Sequence, residues 1–103
     1  MAKTFKTEKQ CHRAVMAYLK TLRPEGRFIK VAQGYYSEAG ISDIMGCYKG
    51  TPIALELKSA TGKPSPKQIK FLKSFFEAGG IADVIRTVEQ VKIIIEDIDN
   101  ERT

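Results

Sequence analysis

Apolar residues recur at Cys11, Ala14, Val15, Tyr18, Leu19 and Leu22, the i, i+3, i+4, i+7 spacing of an amphipathic helix. Thr7 and Gln10 frame its start as a capping box. Pro24 cannot continue a helix and Gly26 permits a turn, so the helix is expected to end across Arg23-Pro24-Glu25-Gly26. The apolar run Phe28–Ala32 predicts a short strand, followed by a loop from Gln33 to Ile41 that carries two glycines and the pair Tyr35-Tyr36.

The pattern then changes to that of strands. Ile44-Met45-Gly46-Cys47-Tyr48 and Ile53-Ala54-Leu55-Glu56-Leu57-Lys58 flank Lys49-Gly50-Thr51-Pro52, which reads as a hairpin with a glycine-containing turn. A polar loop, Ser59 to Lys63, leads to a second capping box at Ser65-Pro66-Lys67-Gln68, with proline at the favoured first helical position. The helix that follows is expected to bury Ile69, Leu72, Phe75 and Phe76 and to stop at Gly79-Gly80. Ile81–Ile85 predicts a fourth strand. Thr87-Val88-Glu89-Gln90 starts a third helix built on Val91, Ile94 and Ile95, with a polar tail from Asp97. The order helix, three strands, helix, strand, helix implies an antiparallel hairpin and a right-handed parallel crossover from Glu56 to Val84. The fold class is therefore α/β, a mixed β-sheet flanked by α-helices.

At 103 residues the chain is expected to form one domain, residues 1–103. Apolar residues make up 43% and charged residues 28%. No apolar run approaches the roughly 20 residues that cross a bilayer, and the charged N-terminus is not followed by the apolar segment of a secretory signal. A cytoplasmic location without a membrane partner is the expectation. The net charge of +5 favours polyanionic partners, but the lysines are spread along the chain, so folding must assemble any binding face. Cys11 and Cys47 lack the spacing of a structural zinc site and are expected to be reduced, buried small hydrophobes.

The candidate chemistry lies in one ordered run: Gly40-Ile41-Ser42-Asp43, then Glu56-Leu57-Lys58, then Ser65-Pro66-Lys67-Gln68. With 8 Glu and 12 Lys, a Glu-x-Lys triplet is expected about once by chance. Its position in a strand, beside a strand opened by Asp43, is what singles it out. Alternation puts Ile53, Leu55 and Leu57 on one face of the strand and Ala54, Glu56 and Lys58 on the other. Asp43 can reach the same spot from the neighbouring strand. Two carboxylates suffice to hold Mg²⁺ with waters and a substrate phosphate, and the backbone carbonyl of Leu57 can add an oxygen. Such an ion activates a bound water, while Lys58 can orient that water or stabilise added negative charge. The plainer reading is a solvated ion pair between Glu56 and Lys58.

Glu8 either points inward towards the sheet or serves the first helical turn as a favourable charge. Gln68 is the capping partner of Ser65 and can also hold a water or a phosphate. His12, one turn after Glu8, reads as structural. Tyr35 and Tyr36 can stack on bases or pack against the core or a second subunit, with packing favoured.

These residues resemble a PD-(D/E)xK nuclease, and more closely the stand-alone form of the virus-type replication–repair nuclease (VRR-NUC) domain. Glu8, Gly40-Ile41-Ser42-Asp43, Gly46, Gly50, Glu56-Leu57-Lys58, Gly62, Ser65-Pro66 with Gln68, and Gly79-Gly80-Ile81-Ala82 carry the resemblance from about Thr7 to Ile95. It implies a restriction-endonuclease-like core and a Mg²⁺-dependent endonuclease, with Mn²⁺ able to substitute and no small-molecule cofactor. Asp43, Glu56, Lys58, Glu8 and Gln68 match its site positions, with Asp43, Glu56, Glu8 and the Leu57 carbonyl as the metal set. The resemblance further implies a homodimer acting on branched DNA, four-way junctions first, in repair or recombination and with a phage flavour. A flap or single-strand nuclease, a catalytically silent DNA-binding module and a basic protein-interaction domain are the rival readings.

Overall fold

The computed structural model describes residues 2–32 and 38–102. The expected roles of Tyr35 and Tyr36 lie outside the described residues. In chain order the elements are α1 (Glu8–Lys20), β1 (Gly26–Lys30), β2 (Ile44–Tyr48), β3 (Thr51–Leu57), α2 (Pro66–Glu77), β4 (Ile81–Ile85) and α3 (Val88–Arg102). The sheet order is β1-β2-β3-β4. β1, β2 and β3 pair antiparallel, and β3 pairs parallel with β4 through the α2 crossover. This is the mixed α/β sheet that the sequence predicts. No helix among the described residues is long and apolar enough to cross a membrane.

Both capping boxes form as the sequence expects. Thr7 and Gln10 close one around α1, and Ser65 and Gln68 close the other around α2. α1 lays Cys11, Val15 and Leu19 against the sheet, where they meet Ile44, Ile53, Leu55, Leu57 and Ile85. α3 completes the same layer with Val91, Ile95 and Ile98. α2 packs on the opposite face, against β3 and β4. β3 is therefore covered on both sides, and every residue from Ile53 to Lys58 is buried. Central strands covered by helices have this character.

Several expectations need correction. The first strand begins at Gly26 and ends at Lys30, two residues earlier than the apolar run, because Gly26 pairs with Tyr48 and sets the register. The hairpin turn is only Lys49-Gly50, with φ of 46° and 84°, the left-handed pair that suits a two-residue hairpin. Thr51 and Pro52 belong to β3. Pro52 is tolerated because pairing with β4 starts only at Ile53, so its missing N–H faces no strand. Cys47 is exposed, not buried. It shares the α2 side of the sheet with Ile29 and Met45, and α2 covers only the β3–β4 half of that side. For the same reason α2 buries Leu72 alone, while Ile69 and Phe76 are 52% and 67% exposed. α3 continues through its polar tail to Arg102, because Ile98 reaches the core and Asp99 accepts from the Tyr48 hydroxyl and pairs with Lys49 at 2.7 Å.

Gly46 faces Phe28 across the β1–β2 pair. A Cβ there would drive into the Arg27 carbonyl and the Phe28 ring and backbone. Gly46→Ala is expected to destabilise the domain by about 1–3 kcal/mol, read as a drop of several degrees in the thermal midpoint. An unchanged midpoint would refute this packing account.

Candidate active site

The site forms where the C-terminal end of β3 meets the first turns of α1 and α2. Register brings its parts together: Ile44 lies opposite Leu55, so the next pair outward is Asp43 and Glu56, on the same face by alternation. Pairing of β1 with β2 extends past Lys30, since the Val31 amide donates to the Asp43 carbonyl at 2.8 Å, and this fixes the Asp43 backbone. Its carboxylate accepts from the Leu57 amide at 2.8 Å.

Glu56 is only 1% exposed. Its Oε2 accepts from Gln68 Nε2 at 2.9 Å and lies 3.5 Å from Lys58 Nζ, while Oε1 is buried without a partner. Burial, helped by the negative charge of Asp43, pushes the Glu56 carboxyl up to about 7, against the opposing pull of Lys58. Lys58 is also buried, and its Nζ lies 3.2 Å from Glu8 Oε1. Burial pushes the Lys58 ammonium down, but the Glu8 and Glu56 carboxylates outweigh it and hold the group above the ordinary lysine value. Glu56 and Lys58 are thus a buried pair, joined at Lys58 by the exposed Glu8, not the solvated pair of the plainer reading. A buried charge with imperfect partners is weak evidence for stability and better evidence for a site.

Gln68 forms the expected cap, and its amide is turned to the Glu56 carboxylate. Its Oε1 accepts from the Ser65 amide at 2.8 Å as the cap, while its Nε2 reaches Glu56. The approach of α2 to the loop before β2 is held by Gly40, whose φ is +76°, where a Cβ would strike the backbone of Lys67 and Gln68. That close contact sets Asp43 and Gln68 at one end of the sheet.

Glu8, Asp43 and Leu57 also line a groove of about 910 Å³ along α1, together with Lys9, His12, Arg13, Met16, Ala17, Lys20 and Lys30. The groove is bordered by cations, four of them at Lys9, Arg13, Lys20 and Lys30. The first three lie on one helical stripe, at i, i+4 and i+11, a spacing that could have been read from the sequence. Lys30 could not, because it arrives from β1. The sequence marks His12 as structural; burial and then the charge of Lys30 hold its imidazole below the ordinary histidine value, against the opposing pull of Asp43. Among the described residues, no three His, Cys, Asp or Glu side chains cluster closely enough to hold a metal by themselves. The all-oxygen pair of Asp43 and Glu56, with Oε1 unpartnered, suits a hard divalent cation that keeps several waters.

One solved structure, described as a VRR_NUC domain, superposes with a TM-score of 0.69 over 86% of this chain and 94% of its own, at 23% identity. The chain has the VRR_NUC fold. That fold agrees with the resemblance carried by Asp43, Glu56-Leu57-Lys58 and Ser65-Pro66 with Gln68. No protein-family model and no curated protein matches the sequence. The VRR_NUC fold accounts for the mixed sheet and its flanking helices; the roles of the charged residues at the end of β3 rest on their own geometry.

Proposed function

We propose that this protein is a divalent-metal-dependent DNA endonuclease that cuts branched DNA, four-way junctions first, as a homodimer. The carrying observation is Glu56: a carboxylate buried to 1% exposure, beside Asp43, with one oxygen unpartnered and a lysine 3.5 Å away. Asp43 and Glu56 would hold Mg²⁺ or Mn²⁺, joined by the Leu57 carbonyl and by Glu8. When bound, the ion supplies activation of a water and neutralisation of charge on the phosphate. The remaining work belongs to the chain. Gln68 fixes the Glu56 carboxylate, and the Leu57 amide fixes that of Asp43. Glu8 steers Lys58 to the same point, where its ammonium can stabilise the added negative charge of phosphodiester hydrolysis. The cations along α1 provide the phosphate-binding border that a polyanion needs.

The dimer rests on chemistry and on one exposed feature. Two symmetric sites suit a two-fold substrate. Ile69 and Phe76, two turns apart on α2, offer apolar surface for a second copy.

Purified protein with Mg²⁺, Mn²⁺ or EDTA should be given end-labelled four-way junction, 5′ flap, single strand and linear duplex. Metal-dependent paired nicks on the junction are expected, with a dimer at micromolar concentration by sedimentation. Cutting mainly at the flap by a monomer would move the substrate to branch ends. Tight junction binding with no cutting under either metal would leave a silent DNA-binding module.

A further inference from the structure

Gln68 and Leu72 turn one side of α2 towards the sheet, the first bonded to Glu56 and the second buried. Lys67, Lys70 and Lys73 follow at i, i+3 and i+6 on the side turned away, and all three are exposed. Neighbouring carboxylates do not account for them. Among the described residues none of the three enters an ion pair, and α2 carries one carboxylate, Glu77, in its last turn. Lys67 stands in the first turn, where the positive end of the helix dipole repels a cation. Exposed carboxylates gather instead on α3, at Glu89, Glu96, Asp97 and Glu101, so the cations are not an even coat over the surface. α1 and α2 cover opposite faces of the sheet, and their first turns reach the same place through Glu8 and Gln68. The site therefore stands between two cationic walls, the groove along α1 and the outer stripe of α2.

We propose that the lysine stripe of α2 holds the phosphate backbone of a second DNA arm, so that a branched substrate is gripped on both faces of the sheet with its branch point at Asp43 and Glu56. The proposal rests on the nuclease reading and adds to it the surface that selects branched over linear DNA. From Lys67 to Lys73 the stripe runs about 9 Å, and one strand advances about 3.4 Å per phosphate, so two or three phosphates fit along it. Unpaired ammonium groups suit that partner, because they can replace the counterions that DNA condenses. A straight duplex laid along α1 leaves the outer side of α2 untouched. Arms that diverge at a branch reach both walls. Ile69 and Phe76, the apolar pair suited to a second copy, lie about 100° or more around α2 from Lys67 and Lys70, so the arm and the dimer use different sides of the helix.

Binding of the full-length protein to a four-way junction and to a linear duplex of equal length is measured in EDTA, where nothing is cut, over a series of salt concentrations. The variants are the double change Lys67→Gln/Lys70→Gln, the single change Lys67→Glu, and Lys92→Gln, at a lysine of α3 that lies over the Tyr18 ring. In the double variant junction affinity should fall about tenfold, and the dependence of log affinity on log salt should become shallower by about two. Its affinity for the linear duplex should change by less than about twofold, since the α1 wall is intact. Lys92→Gln should keep the preference for the junction. Lys67→Glu should weaken junction binding yet raise the melting temperature, because a carboxylate suits the first helical turn. A lysine with only a structural role would lose both together. Equal losses on junction and duplex, an unchanged junction affinity, or a loss in Lys92→Gln as large as in the double variant would overturn the second arm, and metal-dependent cutting of the junction by the unaltered protein would leave the nuclease reading standing. Unaltered protein that neither binds nor cuts branched DNA would overturn both.

Discussion

Glu56→Gln is expected to abolish metal-dependent cutting and, at pH 8, to make the metal-free protein more stable. Both effects have one cause. The Glu56 carboxyl is buried beside Asp43 and is pushed up to about 7 from an ordinary 4.5. A group whose folded value is raised contributes full stability below about pH 4.5. That contribution is lost as the pH rises towards 7, and the loss levels off above it. Ionising Glu56 in the absence of a cation thus works against the fold at pH 8, by roughly 3 kcal/mol. Glutamine has nearly the same shape, still accepts from Gln68 through its carbonyl, and carries no charge. Its advantage should appear above pH 7 and vanish near pH 4, as seen in denaturant unfolding at the two pH values. Cutting should fall by about 10³-fold or more, because the variant loses a ligand charge and not merely a contact. Mg²⁺ should raise the melting temperature of the unaltered protein and leave that of the variant unmoved. A variant that cuts at the original rate would remove Glu56 from the site, and equal stability at pH 8 would mean that it is already neutralised by its neighbours.

The second large effect separates two substitutions at one position. Asp43→Asn and Asp43→Ala should both lose cutting on a similar scale, since each removes a carboxylate from the pair. Their stabilities should part. Asparagine keeps an oxygen for the Leu57 amide, which donates to Asp43 at 2.8 Å. Alanine leaves that N–H without its partner, and the domain should lose about 1–3 kcal/mol. Either change also removes a charge that holds the Glu56 proton in place. The pH window in which the protein loses stability should therefore move to lower pH. Equal stability of the two variants would show that water replaces the carboxylate without penalty, and an unmoved window would show that burial alone sets the Glu56 proton.

Much of this was legible along the chain because the signals are local. The spacing of Cys11, Val15 and Leu19, the caps at Thr7 and Ser65, and the glycine turn between two apolar runs each constrain a few consecutive residues, and all became the expected elements. The pairing of Asp43 with Glu56 was also within reach, since a tight hairpin fixes register and register fixes face. Where the sequence misled, the deciding fact was coverage. Ile69 and Phe76 look like core by periodicity, yet one helix cannot cover a whole sheet face. Cys47 lies on the uncovered half for the same reason. The polar tail after Asp97 looks like a helix end, but Ile98 and Asp99 have partners brought by other elements.

The sequence by itself determined the order of elements, the mixed sheet, and which carboxylates could meet at one end of it, because hydrophobic period, caps and turns act over a few residues. Tertiary structure decided the rest. It buried Glu56 and Lys58 together, drew Glu8 to Lys58 across 50 residues, and let Gln68 cap its helix and hold Glu56 with the same side chain. It also set Lys30 and His12 on one groove with Asp43. Burial and charge proximity depend on which surfaces the packed layers leave open, and only the folded chain defines those surfaces.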